Sequence, residues 1–351
     1  MSTLRALALT PWLLAGSVAV AADVPLPERG HASNPVWSAD GAWLAFELND
    51  FDGGIKLFAV PVTGANSTGQ PTGLKVPGAA SAFSAGKSVA TGAVWHPDGI
   101  LVFEGGAGGG SARLHFWMPN GQSPAELLNS TQIPGDLSWP AISADGKKMA
   151  FVSDKSGAGD VFVWDRASGQ IEQAVASPQS EASLRYSASD QLAFSRKNLG
   201  GEDLFSVTAG TLEPRIGGNG DQTRPAWAGS TMVYFSSESG DGKWKLMASD
   251  AVGKRRVIAS GVRLPYRAPP AVTPDGQWVL YGTADSEASG AIFASRVDGS
   301  KTVKIDTGHV ACGEPAVVSA GSNLFLAYTA LPSQGADWRQ LNILEITSHL
   351  K

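Results

Sequence analysis

With 351 residues and 43% hydrophobic side chains the chain has ample material for a buried core, and its formal charge of −5, without a basic run or an acidic tail, excludes the electrostatic footprint of a nucleic-acid binder. Only 17% of the residues are charged, against roughly a quarter in ordinary globular chains, while 42 Gly and 21 Pro point to many turns and few exposed helices. Cys312 is the sole cysteine, which excludes an internal disulfide and reads as a buried structural thiol.

Residues 1–22 read as a secretory signal peptide. Arg5 supplies a short positive region, LALTPWLLAGSVAVA the apolar stretch, and Ala19-Val20-Ala21 an A-x-A cleavage site. Pro11, the short run and its small-residue end argue against a membrane anchor. Cleavage after Ala21 or Ala22 then leaves a soluble periplasmic or secreted chain with no membrane span. Asp23 to Gly30, DVPLPERG, follows as an extended segment whose Pro25 and Pro27 restrict it to a coil or an edge strand.

From Asn34 onward one pattern recurs, clearest from Trp139 to Gly169. There PAIS reads as a short strand, Asp145-Gly146 as a tight turn, and KMAFVS as a second strand. The polar SDKSGAGD is a loop, and VFVWD a third strand, so the unit is an antiparallel meander. Seven copies are anchored at Pro35, Ala93, Pro140, Ser183, Pro225, Pro270 and Pro315, with steps of 58, 47, 43, 42, 45 and 45 residues. The long first step holds an insertion at 63–90, in which 77–90 form a loop of small residues. Such steps, with several strands each, suit propeller blades. The predicted fold is all-β: a seven-bladed β-propeller of four antiparallel strands per blade, with six blades as the alternative, in a single domain over 23–351. The seventh copy has sequence for only three strands, so the N-terminal segment 23–30, through Val24 and Leu26, is expected to complete the last blade and close the ring.

The copies carry a shared motif. Asn34-Pro35-Val36-Trp37-Ser38-Ala39-Asp40-Gly41 with Leu44-Ala45-Phe46 is the fullest, and Ser143-Ala144-Asp145-Gly146 with Met149-Ala150-Phe151 is similar. Trp95-His96-Pro97-Asp98-Gly99 and Thr273-Pro274-Asp275-Gly276 also match, whereas the fourth, fifth and seventh copies lack the Asp-Gly pair. In these residues, over 34–346, the chain resembles the TolB-like (WD40-like) β-propeller repeat family. It is set apart from TolB itself, which carries an α/β domain ahead of six blades. The resemblance implies radially arranged four-stranded blades and a role as an envelope scaffold; a scaffold does not fix function.

In such a fold one rim gathers the loops between blades, and binding residues converge there. The candidates just ahead of each first strand are His31, Asn34, Asp136, Trp139, Glu181, Arg224, Arg267 and Glu314, with Trp338 in a further rim loop. Trp139 and Trp338 would serve as aromatic anchors for a peptide or a sugar. Trp37, Trp95 and Trp227 share one repeat position and read as blade packing. No G-x-S-x-G, P-loop or H-E-x-x-H occurs, so no catalytic residue is assigned and the balance is toward a non-enzyme. No cofactor is expected, a cation between Glu314, Asp136 and Asp221 being the one candidate. The first reading is a monomeric, exported, non-enzymatic scaffold for an envelope protein or peptide. The alternatives are a metal-dependent lactonase or sugar lyase working in the channel, with Glu314, Asn34, Asp136, His31 and Arg267 as nearest candidates, and a carbohydrate-binding propeller.

Overall fold

The computed structural model describes residues 21–49, 54–64, 67–74, 88–106, 110–119, 123–283 and 289–351. Nearly all of the leader and most of the loop at 77–90 lie outside the described residues. Among the described residues the structure is all-β apart from one 3₁₀ turn at Thr347–Leu350.

Repeats three to six each make a four-stranded antiparallel sheet in chain order. In repeat three the strands are Leu137–Ile142, Lys148–Ser153, Asp160–Asp165 and Ile171–Val175. The β-branched and aromatic run of KMAFVS is buried on both faces and forms the second strand. Repeats one and two share a nine-stranded sheet, because Gly54 and Ile55 pair in parallel with Ser88 and Val89. Repeat seven supplies Val310–Ala320, Asn323–Leu331 and Gln340–Glu345, and its fourth strand is the N-terminal Ala22–Asp23. Ala22 pairs with Ile343, Asp23 with Asn342, and the Val24 N–H donates to the Leu341 carbonyl at 2.9 Å. The closing strand therefore precedes the expected Val24–Leu26 stretch. Pro25 has no N–H, so the ladder ends at Val24; Val24 is buried and Leu26 packs against the same cluster.

The first hairpin of each repeat shows why its motif has those residues. The Ser38 hydroxyl donates to Asp40 Oδ1 at 2.6 Å, Asp40 accepts the Ala42 N–H, and Ser38 Oγ accepts the Trp43 N–H. Ser143 with Asp145, and Thr273 with Asp275, repeat the arrangement. The next residue is left-handed, φ 70° at Gly41 and 71° at Gly146. In repeat four Asp190 takes that conformation itself, φ 60°, which Asp tolerates better than most side chains.

The core lies between successive repeats. Ala45, Leu57, Ala59 and Leu74 of repeat one meet Ala90, Leu101, Phe103 and Trp117 of repeat two. Equivalent clusters join two to three, three to four, four to five, five to six and six to seven. A last one brings Val318, Ala327 and Ile343 of repeat seven onto Leu44, Phe46 and Phe58 of repeat one. The tryptophans read as packing residues also link neighbours. The indole N–H of Trp37 reaches the Ala316 carbonyl, that of Trp95 the Val36 carbonyl, and that of Trp227 the Arg185 carbonyl.

Candidate binding site in the central channel

Each inner strand except that of repeat six is interrupted just ahead of its anchor by a bulge whose residue has positive φ, Asn34, Gly92, Trp139, Ser183, Arg224 and Glu314, and the strand of repeat seven has a second irregularity around Ala311, φ 53°. In repeat six Pro269 falls at that place. A bulge leaves one residue unpaired and re-aims the strand, so these side chains and backbone N–H groups turn out of the ladder. This register moves the fourth anchor from Ser183 to Leu184. It also shows that Trp139 lies on an inner strand, not in a loop.

Three of the freed N–H groups are taken by carboxylates of a neighbouring repeat, Glu47 and Glu104 buried and Glu314 half-buried. Glu47 accepts the Gly92 N–H at 2.9 Å, Glu104 the Trp139 N–H at 2.7 Å, and Glu314 the Asn34 N–H at 2.9 Å. Glu47 also receives the Thr91 hydroxyl at 2.6 Å and the Asn34 amide at 2.8 Å. Burial pushes all three carboxyls above the usual range, and these donors oppose it. Arg267 comes from repeat six and reaches repeats two and three. Both its terminal nitrogens bind Glu104, and its guanidinium lies 3.9 Å from the centre of the Trp139 ring.

Below this bar is a cavity of about 270 Å³, lined by inner-strand residues of repeats one to four and seven and by the 267–272 segment of repeat six. Its walls are mainly proline, alanine and valine; the polar groups on it are Asn34, Glu47, Arg185 and Arg267. The acids belong to repeats seven, one and two, and the arginines, Arg185, Arg224 and Arg267, to repeats four, five and six. Arg224 donates to the Pro265 and Tyr266 carbonyls and holds Tyr266 on the outside, 66% exposed. Burial lowers Arg224 to about 10, and Arg185 likewise to about 10, helped there by the like charge of Arg267.

Of the residues nominated from sequence, Asn34, Trp139 and Arg267 line one cavity, with Glu314 bonded at its edge. The others lie outside it. His31 meets Trp338 edge to face, 5.3 Å between ring centres, between repeats one and seven. Asp136 accepts the Ala112 N–H, and Glu181 is buried against Ser177 and Arg196. Among the described residues no three His, Cys, Asp or Glu side chains, Glu314, Asp136 and Asp221 included, are grouped to hold a metal ion. Glu47, Glu104 and Arg185 were missed, although a carboxylate after LAF or LVF, inside a strand, was a readable signal.

No family model and no curated protein matches the chain. Solved structures do. TolB from Acinetobacter baumannii is 16% identical, with a TM-score of 0.52 over 74% of this chain, which spans only 62% of that protein. An oligogalacturonate lyase in complex with manganese is 13% identical, with a TM-score of 0.60 over 88% of this chain and 87% of its own. A second oligogalacturonate lyase, from Vibrio parahaemolyticus, is 11% identical, with a TM-score of 0.60 over 95% and 92%. The fold is thus that of the TolB-like β-propeller proteins.

Proposed function

We propose that this chain is an exported, periplasmic, seven-bladed propeller that binds a protein or peptide segment at the mouth of its channel and catalyses no reaction. The count of seven takes the nine-stranded sheet as two blades, and it is supported by one inter-repeat cluster at every junction, the last joining repeat seven to repeat one. Export rests on the leader-like sequence of residues 1–22. The observation that carries the binding reading is how the charged groups at the mouth are used. Glu47, Glu104 and Glu314 are committed to backbone N–H groups, and Arg224 to backbone carbonyls. The rim is thereby fixed before any partner arrives, with Tyr266 exposed beside Arg224 and Trp139 held under Arg267. Rigid aromatic and arginine anchors bind with little ordering cost. The test is capture from an envelope extract on the immobilised mature chain. A defined envelope protein should be retained, about tenfold less by Tyr266→Ala, and undiminished by Leu199→Ala on an exposed loop of repeat four. Capture indifferent to Tyr266, or none, refutes the reading.

A sugar lyase is the second reading, favoured by the near full-length match to the oligogalacturonate lyases. The cavity does not fit the manganese of that neighbour: its lining offers one carboxylate, Glu47, beside two guanidiniums. Appearance of an unsaturated product from oligogalacturonate, with or without added manganese, would replace the scaffold reading.

A further inference from the structure

We infer that the channel cavity is a binding site for the carboxylate of a small acid with an apolar body, received by the guanidinium of Arg185. The strand register isolates this residue. The positions following the anchor, each paired to the second strand of its own repeat, are Val36, Val94, Ala141, Arg185, Ala226, Ala271 and Ala316. Six repeats place a small apolar side chain there, and one places a cation.

The Arg185 guanidinium has no hydrogen-bond or ion-pair partner among the described residues, and the one charge among them that acts on it is the cation Arg267. The nearby carboxylates are occupied: Glu104 by Arg267 and the Trp139 N–H, Glu47 by Thr91, Asn34 and Gly92. A half-buried guanidinium on an otherwise apolar wall, without a counter-charge, costs stability, and the fold carries it where alanine serves elsewhere. The guanidinium fork matches a carboxylate with two parallel hydrogen bonds, better than an ammonium does.

The body of the ligand follows from the walls. Val36, Val94, Val272, Pro140, Pro270 and Pro315 surround the space. At about 270 Å³ it lies just under the roughly 300–1,000 Å³ of sites for drug-sized molecules. That room suits a branched short-chain acid, or the last residue or two of a peptide with a free C-terminus. The two sources share one chemistry. Binding of the free acid does not depend on the partner-binding reading; a peptide terminus would deepen it.

The experiment is calorimetric titration of the mature chain with 4-methylpentanoate, with its amide, and with acetyl-glycyl-leucine as free acid and as amide. At least one acid should bind, and its amide at least about tenfold more weakly. Arg185→Ala should abolish that binding and raise the thermal midpoint, since four other repeats accept alanine at this place; Arg185→Lys should restore it only in part. Binding of the free acid points to a small-molecule ligand, and binding of the peptide acid alone to a chain terminus; both support the site. No acid binding, acids and amides binding alike, or binding unchanged in Arg185→Ala overturns it. So does a lowered midpoint in Arg185→Ala, which would make the arginine a structural member of the ring.

Discussion

Glu47 is a carboxylate in a strand at a position where repeat two has Glu104 and repeats three to seven have Val152, Ser195, Phe235, Gly282 and Thr329. It is 1% exposed, and its pKa is raised by burial more than its three donors lower it. A raised folded-state pKa means that the native state holds the proton more tightly than the unfolded chain. The resulting stability is fully present below the usual glutamate value of about 4.3 and is lost as pH rises through the folded value. Glu47→Gln should therefore be as stable as the parent or more so at pH 7, and should flatten the fall of the melting temperature as pH rises above about 4.3. The amide fits because Asn34 Oδ1 is buried without a partner and can take the new N–H once the Asn34 amide turns over. A melting temperature several degrees lower at pH 7 would show that the ionised form is required. Residues at this scale were only partly legible. Asn34, Trp139 and Arg267 stand just ahead of an anchor and could be read by position. Arg185 could not, because repeat four has neither the proline nor the Asp-Gly pair, so its anchor was set at Ser183, one residue early. In a strand that slip exchanges the two faces.

The bulge is the element on which the site depends, and it left little trace in sequence. Its left-handed residues include Trp139, Ser183, Arg224 and Glu314, side chains that do not announce positive φ, and Asn34, which favours it more than most. Gly92 announces it most plainly, and there the reason is steric as well. A Cβ at Gly92 would lie 2.5 Å from Glu104 Oε1 and 3.2 Å from Arg267 Nη2. Gly99, in the first hairpin of the same repeat, has φ 78° and open space around it. Alanine at Gly99 should cost only the left-handed penalty, about 1–2 kcal/mol. Alanine at Gly92 should add the displacement of a buried, bonded carboxylate, a further roughly 1–3 kcal/mol. Urea denaturation of the two variants measures the difference, and equal losses would mean that the Glu104–Arg267 bar shifts aside without penalty. The Trp95 link to the Val36 carbonyl belongs to the same scale. Trp95→Phe keeps most of the packing but strips that carbonyl of its donor, for an expected loss of about 1 kcal/mol. The hairpins, by contrast, were read correctly from Ser-x-Asp-Gly alone, because every group in that motif bonds within five residues.

At the scale of the whole molecule, the repeat phase in sequence carried the architecture, and a short apolar segment ahead of repeat one, with no partner of its own, pointed to the pairing with repeat seven. The exact strand was not readable, since alternation favoured Val24 and Leu26 while hydrogen bonding favours the residues before Pro25. Closure leads to the last prediction. Ala22 and Asp23 pair with the third strand of repeat seven, and Val24 continues with one more backbone bond and a side chain 2% exposed. On the proposed export, cleavage after Ala21 would keep the Ala22–Ile343 pair as an ordinary residue pair at the new terminus, so N-terminal sequencing of the mature chain should begin at Ala22. Deleting residues 22–26 from that chain uncovers the edge of Gln340–Glu345 and removes Val24 and Leu26 from the cluster that joins repeats seven and one. Each fully buried aliphatic side chain contributes about 1.5–3 kcal/mol, reduced by the entropy of ordering the segment, so the deletion should lower stability by a few kcal/mol. Val24→Ala separates the two effects. It keeps the backbone bond to Leu341 and loses only packing, so it should lower the thermal midpoint without inducing aggregation. The deletion should do both, because an unpaired strand edge is a template for another chain. An unchanged midpoint in the deletion would mean that the three strands of repeat seven and the contacts between repeats seven and one hold the ring shut without the N-terminal strand.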